Sequence, residues 1–114
     1  MKNLLFLFAI FFLSNAESAD YESWSSFYLS KDAYNKQLAV TIAGAQGAAL
    51  ASINIINALR GEALIFCVPE NINLSQQVYA DILYDEYSTS KSYSSNTETS
   101  QILFLALEKR YPCL

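Results

Sequence analysis

The fold is decided by a stretch of the chain that carries no charge, residues Gln37–Leu59, QLAVTIAGAQGAALASINIINAL. Neither proline nor a turn cluster occurs from about residue 26 to residue 59, so this part of the chain predicts one long helix. Apolar side chains recur in it every three or four residues and therefore share one helical face. These residues are Leu38, Ile42, Ala45, Ala49, Ile53 and Ile56. The opposite side carries Asn35, Gln46, Asn54 and Asn57.

The same stretch is long enough to resemble a transmembrane span. Its two glutamines and two asparagines, together with glycine and alanine, make insertion into a bilayer costly, so we expect a buried helix instead. Small residues would let another helix come close, from the same protomer or from a second copy. These residues are Gly44, Ala45, Gly47, Ala48 and Ala51. A chain this small has few other segments that could cover this face, so we expect a homodimer through it.

A connection and a second helix are predicted after the long one. Arg60 and Gly61 end the long helix, because glycine commonly supplies the left-handed residue after a last turn. Asn73 with Gln76 forms an approximate capping box that opens the second helix. Its apolar face comprises Val78, Tyr79, Ile82 and Leu83.

A serine-rich loop separates the second helix from the last one. The segment Ser88–Asn96 reads as this loop, and Ser95 with Glu98 makes a second capping box. Pro112 ends the last helix. The apolar residues of that helix are Ile102, Leu103, Ala106 and Leu107. The sequence thus predicts an all-α fold: a small helical domain with a long first helix and two further helices.

The N-terminus has the layout of a secretory signal peptide. Lys2 precedes an apolar run from residue 4 to residue 13, which is far shorter than the ~20 residues that span a bilayer. Ser14 and Ala16 are small residues at the two positions that a signal peptidase recognises. Cleavage after Ala16 is therefore the first choice and cleavage after Ala19 the second. Residues 1–16 are therefore the predicted signal peptide and residues 17–114 a single domain, with no membrane contact after cleavage.

Two cysteines, Cys67 and Cys113, are the only ones in the chain. An exported protein meets an oxidising compartment in which an even count of cysteines usually pairs, so we expect a disulfide between them. Two buried thiols are the alternative. No histidine is present, and two cysteines alone make an incomplete ligand set, so we expect neither a metal nor a cofactor.

The charge of the chain argues against nucleic acid as a partner. The chain has 7 basic and 11 acidic residues, and loss of Lys2 with the signal leaves a net charge of about −5. Neutralising phosphates requires clustered Lys and Arg, whereas the basic residues here are scattered among carboxylates.

The second half of the chain resembles a known family. The motifs that carry the resemblance are Phe66-Cys67-Val68-Pro69, then Gln76 or Gln77 with Val78 opening a helix, then Ala106-Leu107 and Tyr111-Pro112-Cys113. Together they resemble the Rap/Tai immunity proteins of type VI secretion, over roughly residues 65–113. The resemblance implies a periplasmic, all-helical, dimeric protein that blocks a peptidoglycan amidase toxin. The cysteine pair is the only residue assignment that the resemblance transfers to this chain. A small periplasmic acid-stress chaperone, also helical and stapled by one disulfide, is the alternative.

The sequence gives little support to an enzymatic function. Ser88 and Lys91 fit the Ser-x-x-Lys spacing of penicillin-recognising enzymes, but serine is so frequent in this segment that chance explains the match. Asp85 and Glu86 are adjacent, so on a helix their side chains point about 100° apart and do not form an acid/base pair. We therefore expect a binding protein that is not an enzyme.

We place the predicted toxin contact on the end of the second helix and the loop after it, from Tyr84 to Asn96. Tyrosines supply rigid amphipathic contact area at low entropic cost, and neighbouring charges would complement a partner. The predicted contact residues are Tyr84, Asp85, Glu86, Tyr87, Lys91 and Tyr93. An ordinary solvated loop with tyrosines packed against the domain is the alternative.

Overall fold

The computed structural model describes residues 19–114 and shows four α-helices. They are α1 (Tyr21–Tyr28), α2 (Ala33–Leu59), α3 (Gln76–Thr89) and α4 (Thr99–Arg110). No strand occurs within these residues, which confirms the predicted all-α fold with a long helix and two later ones. The short helix α1 was not predicted. The predicted signal peptide lies outside the described residues.

Aspartate caps separate α1 from α2. The Asp20 carboxylate accepts a hydrogen bond from the backbone N–H of Ser23 and begins α1. The Asp32 carboxylate accepts from the N–H of Tyr34 at 2.8 Å and begins α2. Each cap accepts a hydrogen bond from a backbone amide that has no partner inside its helix. The cap at Asp32 therefore begins a new helix, and α1 and α2 do not form one continuous helix.

The two predicted capping boxes are wrong in detail. Ser75, not Asn73, is the N-cap of α3, and its hydroxyl accepts from the N–H of Val78. The cap of α4 is Glu98, whose side chain makes no capping hydrogen bond to its own helix. Its carboxylate instead accepts from the N–H of Ala19 at 3.1 Å, a partner distant in sequence that no local motif could reveal.

The buried face of α2 differs from the apolar face that the spacing indicated. Leu38, Ile53 and Ile56 are 38%, 42% and 47% exposed, and Ala45 is exposed as well. The buried residues of α2 are Ala39, Val40, Ala43, Gly44, Gln46, Gly47 and Leu50. Because α2 is apolar on nearly all sides, hydrophobic spacing alone did not distinguish the face that packs from the face that does not.

The two glycines of α2 are covered by α3 of the same protomer. A Cβ added to Gly44 would collide with the side chain of Gln76, and one added to Gly47 would collide with the ring of Tyr79. These glycines therefore allow α3 to lie close against α2. Gly44 and Gly47 are therefore not available to a second copy, whereas Ala45 and Ala48 are exposed, and the homodimer remains a prediction.

The core lies between α2 and the other three helices. Its fully buried side chains include Trp24, Leu83, Ile102, Leu103 and Leu107. Trp24 joins α1 to α2, since its indole N–H donates to the carbonyl of Ala39 at 2.9 Å. Gln46 joins α2 to α4, since its amide donates to the buried hydroxyl of Thr99 at 2.8 Å.

The predicted disulfide between Cys67 and Cys113 is confirmed. It ties the connection after α2 to the chain beyond α4, and the N–H of Cys67 also donates to the carbonyl of Tyr111 at 2.7 Å. Gly61 ends α2 with a positive φ of 70°, as the sequence predicted. The side chain of Asn54 then holds the connection by bonding the N–H of Ile65 and the carbonyl of Phe66.

Within residues 19–114, α2 is the one helix that is long and apolar enough to cross a membrane by length and composition. Core helices of other proteins meet the same two criteria. In this chain, α2 packs against α1, α3 and α4 through one face. The opposite face remains exposed over much of its length.

Candidate protein-binding surface

The predicted contact residues differ in their exposure to solvent. Tyr84, Tyr87 and Tyr93 are half-buried, and Glu86 is buried. Asp85 and Lys91 are exposed. The first four belong to interactions within the protein, described next, so only part of the predicted segment is available to a partner.

A cluster of stacked aromatic rings joins α1 to α3. The rings of Tyr21 and Tyr87 stack with centroids 3.6 Å apart, and those of Trp24 and Tyr28 stack at 4.8 Å. Tyr28 also contacts the ring of Tyr84 at 5.2 Å. Burial, followed by the neighbouring Tyr84, raises the pKa of Tyr21 to about 12. The stacked rings fix α1 on the domain.

Glu86 holds the serine-rich loop against α3 and α4. The hydroxyl of Tyr93 donates to its carboxylate at 3.0 Å, and the Lys109 ammonium lies 3.6 Å from the other oxygen. Burial and this hydrogen bond raise the pKa of Tyr93 to about 12. Tyr93 thus folds back onto the domain and does not project from the loop.

A groove of about 510 Å³ opens beside the aromatic cluster. Aromatic, apolar and charged side chains share its walls, which are formed by Tyr28, Val78, Asp81, Ile82, Tyr84, Asp85 and Arg110. The hydroxyl of Tyr28 and the amide of Gln77 both donate to Asp81. Burial and the Asp81 carboxylate raise the pKa of Tyr28 well above its usual value.

The groove is lined by one ion pair and one further carboxylate. Asp85 and Arg110 form an ion pair across the groove, from α3 to the end of α4. Asp81 lies one turn before Asp85 on the same helix, where Tyr28 orients it. A partner side chain entering here would meet two carboxylates, a guanidinium and the faces of two tyrosines. This combination suits recognition of a protein surface.

The two predicted residues that reach this groove are Tyr84 and Asp85. Tyr28, contributed by α1, was missed because α1 itself was not predicted. A signal was available, since Asp20 can cap a helix on which Tyr21, Trp24 and Tyr28 share one face. Arg110 could not be found from the sequence, because its approach to Asp85 depends on how α4 packs against α3.

Ser88 and Lys91, which fit the Ser-x-x-Lys spacing, are not brought together around a pocket. The Ser88 hydroxyl donates to the carbonyl of Tyr84 within α3, and Lys91 is exposed in the loop. Among residues 19–114, no group of three His, Cys, Asp or Glu side chains is arranged to hold a metal.

The disulfide and the apolar N-terminal run agree with a secreted protein. Comparison of the chain with models of protein families, with curated proteins and with solved structures found no match.

Proposed function

We propose that this chain is a periplasmic immunity protein that binds and blocks a peptidoglycan amidase effector of a type VI secretion system. The proposal rests on the motif resemblance over residues 65–113 and on one structural observation, the groove beside Tyr84 and Asp85. In this function the protein acts by occupying the surface of its partner, and no residue of the chain performs a chemical step.

The groove suits this function because contacts within the protein hold its side chains before a partner arrives. Tyr28 and Tyr84 are fixed by ring contacts, Asp81 by two hydrogen bonds, and Asp85 by Arg110. Side chains that are already ordered lose little entropy on binding. A tyrosine-walled groove also matches the composition of interface hot spots, in which tyrosine and arginine are enriched.

The first experiment tests whether the chain protects cells from an amidase effector. Amidase effectors of type VI secretion are directed to the periplasm of a host that also expresses this chain with its own N-terminus. We expect survival against the cognate effector and a 1:1 complex between the two purified proteins. Cell lysis by every effector tested, with the chain present in the periplasm, would refute the proposed function.

Asp85→Lys tests the groove, and Glu108→Lys is its control. Both residues are exposed, and both variants change the charge by the same amount, but Glu108 lies on α4 and does not line the groove. We expect Asp85→Lys to weaken binding by about 2 kcal/mol, measured by calorimetry, because it replaces a carboxylate that would face the partner with a cation. Equal affinities of the two variants would place the contact elsewhere on the protein.

A further inference from the structure

Asp81 is the carboxylate of the groove that no basic residue of the described chain neutralises. The other carboxylate in the groove wall, Asp85, forms an ion pair with Arg110. On the same helix, the buried Glu86 forms an ion pair with Lys109. Asp81 is exposed and makes no ion pair within residues 19–114. The groove therefore keeps one negative charge that a partner can neutralise.

Two neutral donors fix the orientation of Asp81. The hydroxyl of Tyr28, on α1, donates to its Oδ1 atom, and the amide of Gln77, on α3, donates to the same oxygen at 2.9 Å. Since both hydrogen bonds reach one oxygen, Oδ2 keeps its lone pairs for a donor from outside. A carboxylate that is held in place but not neutralised loses little entropy when it bonds a cation.

The aromatic rings beside Asp81 favour a flat cation. Tyr28 and Tyr84 both line the groove, with their ring centroids 5.2 Å apart. The ammonium of Lys36, on α2, already lies 5.9 Å from the centroid of the Tyr28 ring, at the outer limit of a cation–π contact. A guanidinium can lie flat against a tyrosine ring while its N–H groups bond a carboxylate, whereas an ammonium is a compact point charge.

We propose that the groove receives an arginine side chain of the partner protein. Its guanidinium bonds Oδ2 of Asp81 and lies against the ring of Tyr84. The apolar side chains of Val78 and Ile82 contact the methylene groups of the same arginine. This inference names the partner chemistry of the groove, and it rests on the proposed function for the identity of the partner.

The charges around the groove permit a further cation there. Asp85 compensates the charge of Arg110, so the incoming guanidinium meets an ion pair and not a lone cation. Lys36 is exposed, so its ammonium can return to water when the guanidinium enters. The whole chain has 7 basic and 11 acidic residues, which favours association with a basic partner surface.

A peptide titration tests the inference without an effector. The probes are acetylated and amidated tripeptides with glycine at both ends and, in the centre, arginine, its uncharged isostere citrulline, or lysine. NMR follows the backbone amides of the oxidised chain that begins at Glu17. We expect the arginine peptide to shift the signals of residues 78–85 with a dissociation constant of about 1–50 mM, because one exposed ion pair is weak. The lysine peptide should bind at least about twofold more weakly, and the citrulline peptide should cause no shift.

Asp81→Asn isolates the contribution of the carboxylate charge. The asparagine oxygen can still accept from Tyr28 and Gln77, so the variant keeps the contacts that shape the groove. We expect it to bind the arginine peptide roughly three- to tenfold more weakly. Glu70→Gln is the control, because Glu70 is exposed in the connection, does not line the groove and loses the same charge. Circular dichroism confirms that both variants are folded.

The same two variants are then compared in binding to the cognate amidase effector. Asp81→Asn should raise the dissociation constant about tenfold, and Glu70→Gln should change it less than about twofold. Equal binding of the effector by both variants would overturn the inference and leave the proposed function standing. A chain that binds the arginine peptide through Asp81 but binds no effector would overturn the proposed function and leave the chemistry of the groove standing.

Three results of the titration would also overturn the inference. The first is a spectrum that the arginine peptide leaves unchanged up to about 100 mM. The second is binding of the citrulline or the lysine peptide as tight as that of the arginine peptide. The third is an Asp81→Asn variant that binds the arginine peptide as tightly as the unaltered chain does.

Discussion

Gly47 sets the distance between α2 and α3. Its missing side chain leaves the space that the ring of Tyr79 occupies. Glycine inside a helix costs about 1 kcal/mol relative to alanine, so the close contact must return at least that amount through packing. The sequence shows that glycine and alanine are concentrated here, but only the structure shows that α3 packs against the two glycines.

Gly47→Val should lower the free energy of unfolding by about 2–3 kcal/mol, because added methyl groups would collide with the Tyr79 ring. Ala48→Val is the matched control, since Ala48 is exposed on the neighbouring position of the same helix and should lose only about 0.6 kcal/mol of helix propensity. Urea denaturation measures both values. Similar losses in the two variants would mean that α3 does not lie so close to α2.

The start of α4 depends on a residue from the other end of the described chain. The N–H of Thr99 donates to the carbonyl of Ala19 at 2.9 Å, and the N–H of Ala19 donates to Glu98. Tyr21 adds a backbone hydrogen bond to the carbonyl of Thr97. The predicted capping box of Ser95 and Glu98 could not anticipate this, because capping motifs describe neighbours in sequence and Ala19 is a neighbour only in space.

A chain that begins at Asp20 should therefore be less stable than one that begins at Ala19. It loses both hydrogen bonds of Ala19, which together are worth about 1–3 kcal/mol. Thermal unfolding of the two chains, with the chain from Glu17 as the reference, measures the difference. Identical unfolding curves would show that Ala19 does not support α4. Of the two predicted cleavage positions, only the one after Ala16 keeps these bonds.

At the scale of the molecule, the fold class and the disulfide could be predicted because each depends on the chain alone: helix-length segments without proline, and one pair of cysteines. The buried face of α2 could not, because Leu38 and Ala39 are both apolar and only packing decides which is covered. Two residues of the candidate groove belong to the contact segment predicted from the sequence. Tyr84 and Asp85 follow from the sequence, whereas Tyr28 and Arg110 reach them through tertiary contacts.

The double variant Cys67→Ser with Cys113→Ser should unfold at a markedly lower temperature. The disulfide closes a loop with a sequence separation of 46, and losing such a closure costs about 4 kcal/mol in the chain-entropy model. For a domain of this size, that corresponds to a drop in Tm of roughly 15–30 °C. Circular dichroism during heating measures it. An unchanged Tm would show that the hydrogen bond from Cys67 to Tyr111 suffices to hold the connection.

Gln46 would also matter before the chain folds, if the protein is exported as proposed. In the folded protein its amide is buried against Thr99. If the chain is exported as proposed, it would pass through a secretion channel that opens sideways to lipid before α4 is in place. The same amide would then make lateral release of residues 37–59 into hydrocarbon unfavourable. The Gln46 side chain, at the centre of the segment, would thus favour complete passage first, and in the folded protein it holds the last helix.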